Sequence, residues 1–278
     1  MKINKIILAF FLLTVVVSSF SFPPVAHGAV PTDYVSCWDM EESSATRIDA
    51  NTTNSNDLTD VNTVVSGTGI INNGGDFESS NSEYIYIDDA TASGLDGMSD
   101  VSISAWFKAE SSGAFKTVVN KRGSGASQGG YMIRIASDNS TIYAEVGDGT
   151  NTTGGNISSS AVTTGVWYHI VITLDNADGD IIPYINNTVK TTITGTASGV
   201  AGGNSQPFMI GASNNTSSGS GRTPIWYMDG VVDIVEVYNR VLTSTEVSDL
   251  YNAGAGVGCS GRGGGGGTVI RQTEFFFE

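Results

Sequence analysis

Cysteine and histidine are almost missing from this chain: 278 residues contain two of each. One histidine, His27, falls in a leader-like N-terminus, so Cys37, Cys259 and His169 remain. Three such residues cannot build a tetrahedral zinc site, and they leave no Cys–His pair outside a disulfide. Basic residues are scarce too, 13 Lys and Arg against 28 Asp and Glu, for a formal net charge of −15. A surface of that sign repels nucleic acid and anionic lipid over a Debye length, which excludes nucleic acid as a partner. The acidity also keeps an exported protein soluble.

Long apolar runs are lacking apart from one, Ile6 to Val17. It is shorter than the roughly 20 residues of a membrane span. Lys2 and Lys5 precede it, Pro23-Pro24 follow, and Ala26-His27-Gly28 supplies small residues where a signal peptidase reads. These features predict cleavage after Gly28 and export to the cell surface or medium, against the alternative of an uncleaved anchor. Loss of Lys2 and Lys5 from the 13 basic residues leaves 11 against 28 acids, a net charge near −17, and no membrane span. In an oxidising compartment the two cysteines, if their geometry permits, would close a loop of about 220 residues.

What is abundant is Gly, Ser, Thr and Asn, in short alternating runs between turn clusters, the pattern of an antiparallel sandwich. Val101, Ile103, Ala105 and Phe107 share one strand face, with Ser102, Ser104 and Trp106 opposite. Val166, Tyr168, Ile170, Ile172 and Leu174 repeat the pattern. Further strands are expected over 34–38, 83–87, 116–120, 131–136, 141–146, 181–185, 188–193, 208–211 and 230–238. Asp178-Gly179 predicts a two-residue hairpin turn. One helix is expected over 244–253, with Thr243 and Glu246 as a capping box, Gly254 as its stop, and Val247, Leu250 and Tyr251 on one packed face. The expected architecture is all-β, a two-sheet antiparallel jelly roll with one short C-terminal helix, acting as a monomeric domain. Its boundaries are a signal peptide at 1–28, the sandwich at 29–260, and a glycine-rich linker with a short tail at 261–278.

Several stretches resemble the laminin-G-like, concanavalin A-like lectin and glucanase domains. They are Cys37-Trp-Asp-Met-Glu-Glu-Ser-Ser-Ala-Thr-Arg-Ile-Asp-Ala50, Gly75 to Ile87, Val101 to Phe107, and Gly165-Val-Trp-Tyr-His-Ile-Val-Ile172. Tyr184-Ile-Asn-Asn187 fits the family's Tyr-x-Asn-Gly hairpin except that Asn187 replaces glycine, and Met228 to Gly254 resembles its closing signature. The likeness spans about 33 to 256 in unbroken order. It implies that the first and last strands pair, which would bring Cys37 and Cys259 close enough for a disulfide. It also implies a Ca²⁺ site drawing on the loop after the first strand and on an acid of the closing strand. Those positions hold Asp49, Asn51, Asn54, Asp57 and Asp233. Calcium wants six to eight oxygens, and a carboxylate inside the apolar run Val231-Val-Asp-Ile-Val needs a partner or a metal. The competing reading is a solvated loop, with Asp233 facing water.

Arg222, Trp226 and Tyr227, in the polar loop before the closing strand, offer the aromatic platform and hydrogen bonds that a sugar requires. Alternatively the two rings pack at the loop base. Tyr131 and Arg134 alternate on a strand and therefore face opposite sides. The glucanase pattern Glu-x-Asp-x-x-Glu is broken by Val231 before Asp233 and Glu236, and His169 lies mid-strand where a catalytic base is out of place. The reading is thus a non-enzymatic binding module for carbohydrate or a glycosylated partner. A structural or adhesive element of an envelope or virion and a divergent glycosidase are its alternatives.

Overall fold

The computed structural model describes residues 30–124, 129–200, 202, 204–216 and 221–259. The expected leader at 1–28 and the linker and tail at 261–278 lie outside them. Two large antiparallel sheets face each other. The first contains β1 (Ser36–Trp38), β3 (Val65–Thr68), β4 (Asn73–Phe77), β6 (Val101–Ala109), β11 (Trp167–Leu174), β12 (Ile181–Ile185), β13 (Thr188–Val189) and β17 (Gly230–Tyr238). The second contains β2 (Thr59–Val61), β5 (Tyr84–Ile87), β7 (Lys116–Asn120), β8 (Gly130–Ile135), β9 (Ile142–Gly147), β10 (Thr152–Asn156) and β14 (Phe208–Ile210). A small hairpin, β15 (Ser213–Asn214) with β16 (Pro224–Ile225), stands apart from both. The expected all-β jelly roll is the fold observed.

Period-two alternation explains the core. Ile103, Ala105 and Phe107 of β6, Ile170, Ile172 and Leu174 of β11, and Val232, Val235 and Val237 of β17 point inward from the first sheet. Ile85, Ile87, Val118, Ile133, Ile135, Ala144 and Phe208 meet them from the second. Each such fully buried aliphatic side chain contributes roughly 1.5–3 kcal/mol. Trp38 stacks on Phe208 with ring centroids 4.8 Å apart, and its indole N–H donates to the Asn56 carbonyl at 2.8 Å.

The nine-residue β17 runs along β6 on one edge. Its other edge takes β4 along Gly230–Val232 and β1 along Val235–Val237. The first and last strands therefore pair, and Cys37 and Cys259 form a disulfide with Cα atoms 5.8 Å apart. Ser102, Ser104 and Trp106, the polar side of β6, are buried as well, because further structure covers that face. The Ser102 hydroxyl donates to the Arg240 carbonyl and accepts from the Leu242 N–H, while Trp106 stacks on His169 and Tyr251.

Helix α1 (Ser244–Tyr251) carries the expected capping box between Thr243 and Glu246. It stops short of the expected Ala253, because Asn252 adopts the left-handed conformation (φ 46°) and its N–H closes on the Ser248 carbonyl. Asparagine tolerates that conformation, so Gly254 is not needed as the stop. The two-residue turn at Asp178-Gly179 is also corrected: Leu174 pairs with Ile181, leaving a six-residue loop. Asp175 and Asp178 each accept a backbone N–H two residues on, from Ala177 and Asp180, and Gly179 (φ 74°) donates to the Asp175 carbonyl. Such side-chain turns compete with the tight hairpin.

Candidate functional site

Alternation along β8 sends Tyr131 and Ile133 into the core and leaves Met132 and Arg134 on the outer face of the second sheet. In β9, Ala144 and Val146 turn inward and Tyr143 and Glu145 outward. The register sets Met132 beside Glu145 and Arg134 beside Tyr143. Trp226 and the β15–β16 hairpin meet this surface, enclosing a cavity of about 320 Å³. Its lining includes Arg122, Arg134, Glu145, Ser213, Asn214 and Trp226.

The Arg134 guanidinium lies 4.8, 4.6 and 4.7 Å from the ring centroids of Phe115, Tyr143 and Trp226. Trp226 is held in the left-handed region (φ 54°), an uncommon conformation for a bulky residue, while its carbonyl accepts from the Thr117 N–H at 2.9 Å. Arg122 and Glu145 form an ion pair in which each side chain is 9% exposed. Burial, and then the Glu145 charge, push the Tyr143 phenol up to about 12, so it stays neutral. Asn214 braces the hairpin, donating to Gln206 Oε1 and the Gly221 carbonyl and accepting from the Thr223 N–H. Gly123 closes one wall where a Cβ would meet the Thr216 carbonyl oxygen at 2.2 Å.

Of the three residues expected at a sugar site, Trp226 lines this cavity. Arg222 instead stacks over Tyr86, 3.9 Å from the ring centroid, and pairs with Asp88 at 2.5 Å. Tyr227 packs beside Tyr84 with centroids 6.4 Å apart. Tyr84 and Tyr86 are the outward residues of β5, so this second cluster continues along the same sheet face. Arg122 and Glu145, which line the cavity, and Phe115 and Tyr143, which pack on Arg134, are brought there by strand register and loop closure and carry no motif that marks them in the sequence.

The residues expected at a calcium site fall into two networks. Asp49 Oδ1 accepts from the Cys37 and Asn51 N–H groups and Oδ2 from the Asn56 N–H, while Asp57 accepts from the Asp49 N–H. Asn51 accepts from Thr53 and Asn54 and donates to the Tyr34 and Val35 carbonyls, which ties the loop to the chain entering β1. Asn54 also lines a separate cavity of about 400 Å³ with Asp96 and Met98. Asp233 accepts instead from Ile70, Ile71 and Ile234. Carboxylate oxygens aimed at N–H donors are not a ready cage for a cation that wants six to eight free oxygens. Among the described residues, three-membered groups of metal-ligand type occur elsewhere, at Asp76, Glu78 and Glu110 and at the disulfide beside Glu236.

A family model described as the concanavalin A-like lectin/glucanases superfamily matches residues 79–248. The chain belongs to this superfamily. No curated protein sequence matches it. Among solved structures, domain 4 of AbnA, a GH43 extracellular arabinanase from Geobacillus stearothermophilus in complex with arabinotriose, is similar with TM-score 0.55 and 18% identity. That match covers 75% of this chain and 98% of the other. Trypanosoma rangeli sialidase gives TM-score 0.58 at 15% identity, covering 87% of this chain and 36% of the sialidase. The binding domain of botulinum neurotoxin DC in complex with SialylT gives 0.54 at 14%, covering 78% and 50%. At these identities the likeness shows the shared fold.

Lectin and glucanase members of the superfamily differ in what chemistry their site must hold. Glycoside hydrolysis generally uses two carboxyl groups flanking the scissile bond. Among the described residues lining the cavity, Glu145 is the one carboxylate, and Arg122 holds it. Asp233 and Glu236 belong to β17, on the outer face of the opposite sheet. The Ser104 hydroxyl lies 2.9 Å from His169 Nε2, but both residues are buried beneath Trp106 and Tyr251.

Proposed function

We propose that this protein is a carbohydrate-binding module whose site is the cavity over the second sheet. The observation that carries the reading is Trp226, presented in a strained backbone conformation at the mouth of a polar cavity. An indole face suits the apolar C–H surface of a sugar ring, and Arg122, Glu145 and Ser213 at the cavity wall supply polar groups for its hydroxyls. The volume fits one or two sugar units. Sugar ligands in the arabinanase domain and neurotoxin structures support the same use of the fold. A lone, ion-paired carboxylate in the cavity favours binding over hydrolysis. A buried disulfide agrees with an exported protein, and no helix of the described residues is long and apolar enough to cross a membrane.

A glycan array probed with the full exported chain, in calcium and in chelator, tests the proposal. Binding to a defined glycan class is expected, with Trp226→Ala weakening it about 30-fold or more, the usual cost of truncating a central aromatic anchor. Because the Asp49–Asp57 loop is satisfied by its own N–H groups, chelator should leave binding intact. Silence across the array in both buffers would move the assignment to the structural or adhesive reading.

A further inference from the structure

Among the described residues, most cations of this acidic chain are neutralised or hydrogen-bonded. Arg122 pairs with Glu145, Arg222 with Asp88, Arg240 with Asp33 and Glu246, and Lys121 with Asp89. Buried Arg47 and Lys116 donate to backbone carbonyls or to Asn139 instead. Arg134 differs. Among the described residues its guanidinium has neither a carboxylate within ion-pair distance nor a hydrogen-bond acceptor, and its Nε is buried without a partner. Three aromatic rings hold it in place at the cavity wall. With Arg122 and Glu145 cancelling, the cavity carries one positive charge inside a chain of net charge −15.

Building on the carbohydrate-binding reading, we infer that the cavity selects a carboxylated sugar, with Arg134 as the group that receives the carboxylate. A guanidinium offers a fork of N–H donors that matches a carboxylate geometrically. Aromatic neighbours limit its hydration and fix its plane, so less freedom is lost when the ligand arrives. Trp226 touches both the cation and the cavity, which places the sugar ring next to the acid group it carries. A neutral sugar offers the Arg134 donors only hydroxyl oxygens, weaker acceptors than a carboxylate and unable to match the fork, and that difference is the basis of selection. Both hexuronates and sialic acids carry the required carboxylate.

Titration calorimetry on the full chain separates these cases with four probes: an oligogalacturonate, its methyl ester, sialyllactose and lactose. One acidic probe is expected to bind at least about tenfold tighter than its neutral counterpart, and that preference should shrink as salt rises. Which acidic probe responds identifies the sugar class. Arg134→Met should erase the acid preference, bringing the acidic probe to the affinity of its neutral counterpart. Arg134→Lys, which keeps charge and loses the fork, should recover only part of it. Thermal melting of both variants verifies that they fold. Equal binding of acid and ester would overturn this inference and leave the sugar-binding reading standing. An Arg134→Met variant that folds and keeps the acid preference would also overturn it. No binding to any probe would overturn this inference, while silence on the glycan array is what overturns the sugar-binding reading.

Discussion

Removing the Cys37–Cys259 bridge, by Cys37→Ala with Cys259→Ala or by reduction, should lower the unfolding free energy by about 5 kcal/mol. The cross-link spans 222 residues, nearly the entire described domain, so the unfolded chain gains most of its conformational freedom when it is cut. The native state loses support at the same place. Strand β1 is three residues long and, among the described residues, pairs with β17 alone, so the bridge from Cys37 to Cys259 anchors the start of the domain to its end. Both cysteines are buried beside Glu236, whose carboxylate accepts from the Tyr238 hydroxyl at 2.8 Å. Two thiols or two alanines there are less well packed than the bridge. Guanidinium unfolding followed by fluorescence, with and without reductant, measures the difference. Coincident midpoints would mean that the β1–β17 ladder and the Arg240 contacts to Asp33 and Glu246 already fix the ends, and that the unfolded ensemble is compact without the bridge.

Elements whose identity depends on their own residues were legible, and those that depend on distant partners were not. Strands β6, β11 and β17 announce themselves by alternation of β-branched and aromatic residues. Helix α1 does so by its capping box. Strand β10 does not: Thr-Thr-Gly-Gly-Asn has little β propensity. Its Gly154 is required by the neighbouring strand, since a Cβ there would meet Glu145 Cγ at 2.7 Å. The short polar strands β2 and β3 escape notice for a similar reason, being edge strands with few core residues. Trp226 was visible as an aromatic in a polar loop, yet Arg222 and Tyr227, its sequence neighbours, belong to a cluster on β5 instead. Arg134 was placed on the correct face by period two. Its significance comes from Tyr143 on the next strand and from Trp226 more than 90 residues away, a convergence of register and loop closure that one sequence does not display. The disulfide followed from the resemblance, because only pairing of the first and last strands brings its ends together.

Asp233 was visible as a carboxylate stranded in an apolar run, but its partners were not, since Ile70 and Ile71 lie more than 160 residues earlier. Its consequence is a pH effect of unusual sign. Burial dominates and pushes the carboxyl up to about 7, against the pull of three backbone N–H donors and with Glu41 adding to the rise. The unfolded chain releases this proton near pH 4, so between about 4 and 7 the native state binds more protons than the unfolded one. Stability from this group is therefore complete below pH 4, declines as pH rises through that window, and is level above 7. A shift of about three units corresponds to roughly 4 kcal/mol. The carboxylates of Asp33, Asp229 and Glu246, held below their ordinary values, act in the opposite direction and at lower pH. Unfolding free energies measured from pH 5 to 7 should thus fall with pH in the parent protein. In Asp233→Asn the slope due to this group should vanish, although the amide nitrogen, facing an N–H donor, costs about 1–3 kcal/mol at every pH. A parent profile as flat as the variant's would mean that the Ile70, Ile71 and Ile234 N–H groups hold the carboxylate ionised despite its burial. The turn at 69–72 would then be clamped by a charge rather than by a neutral acid.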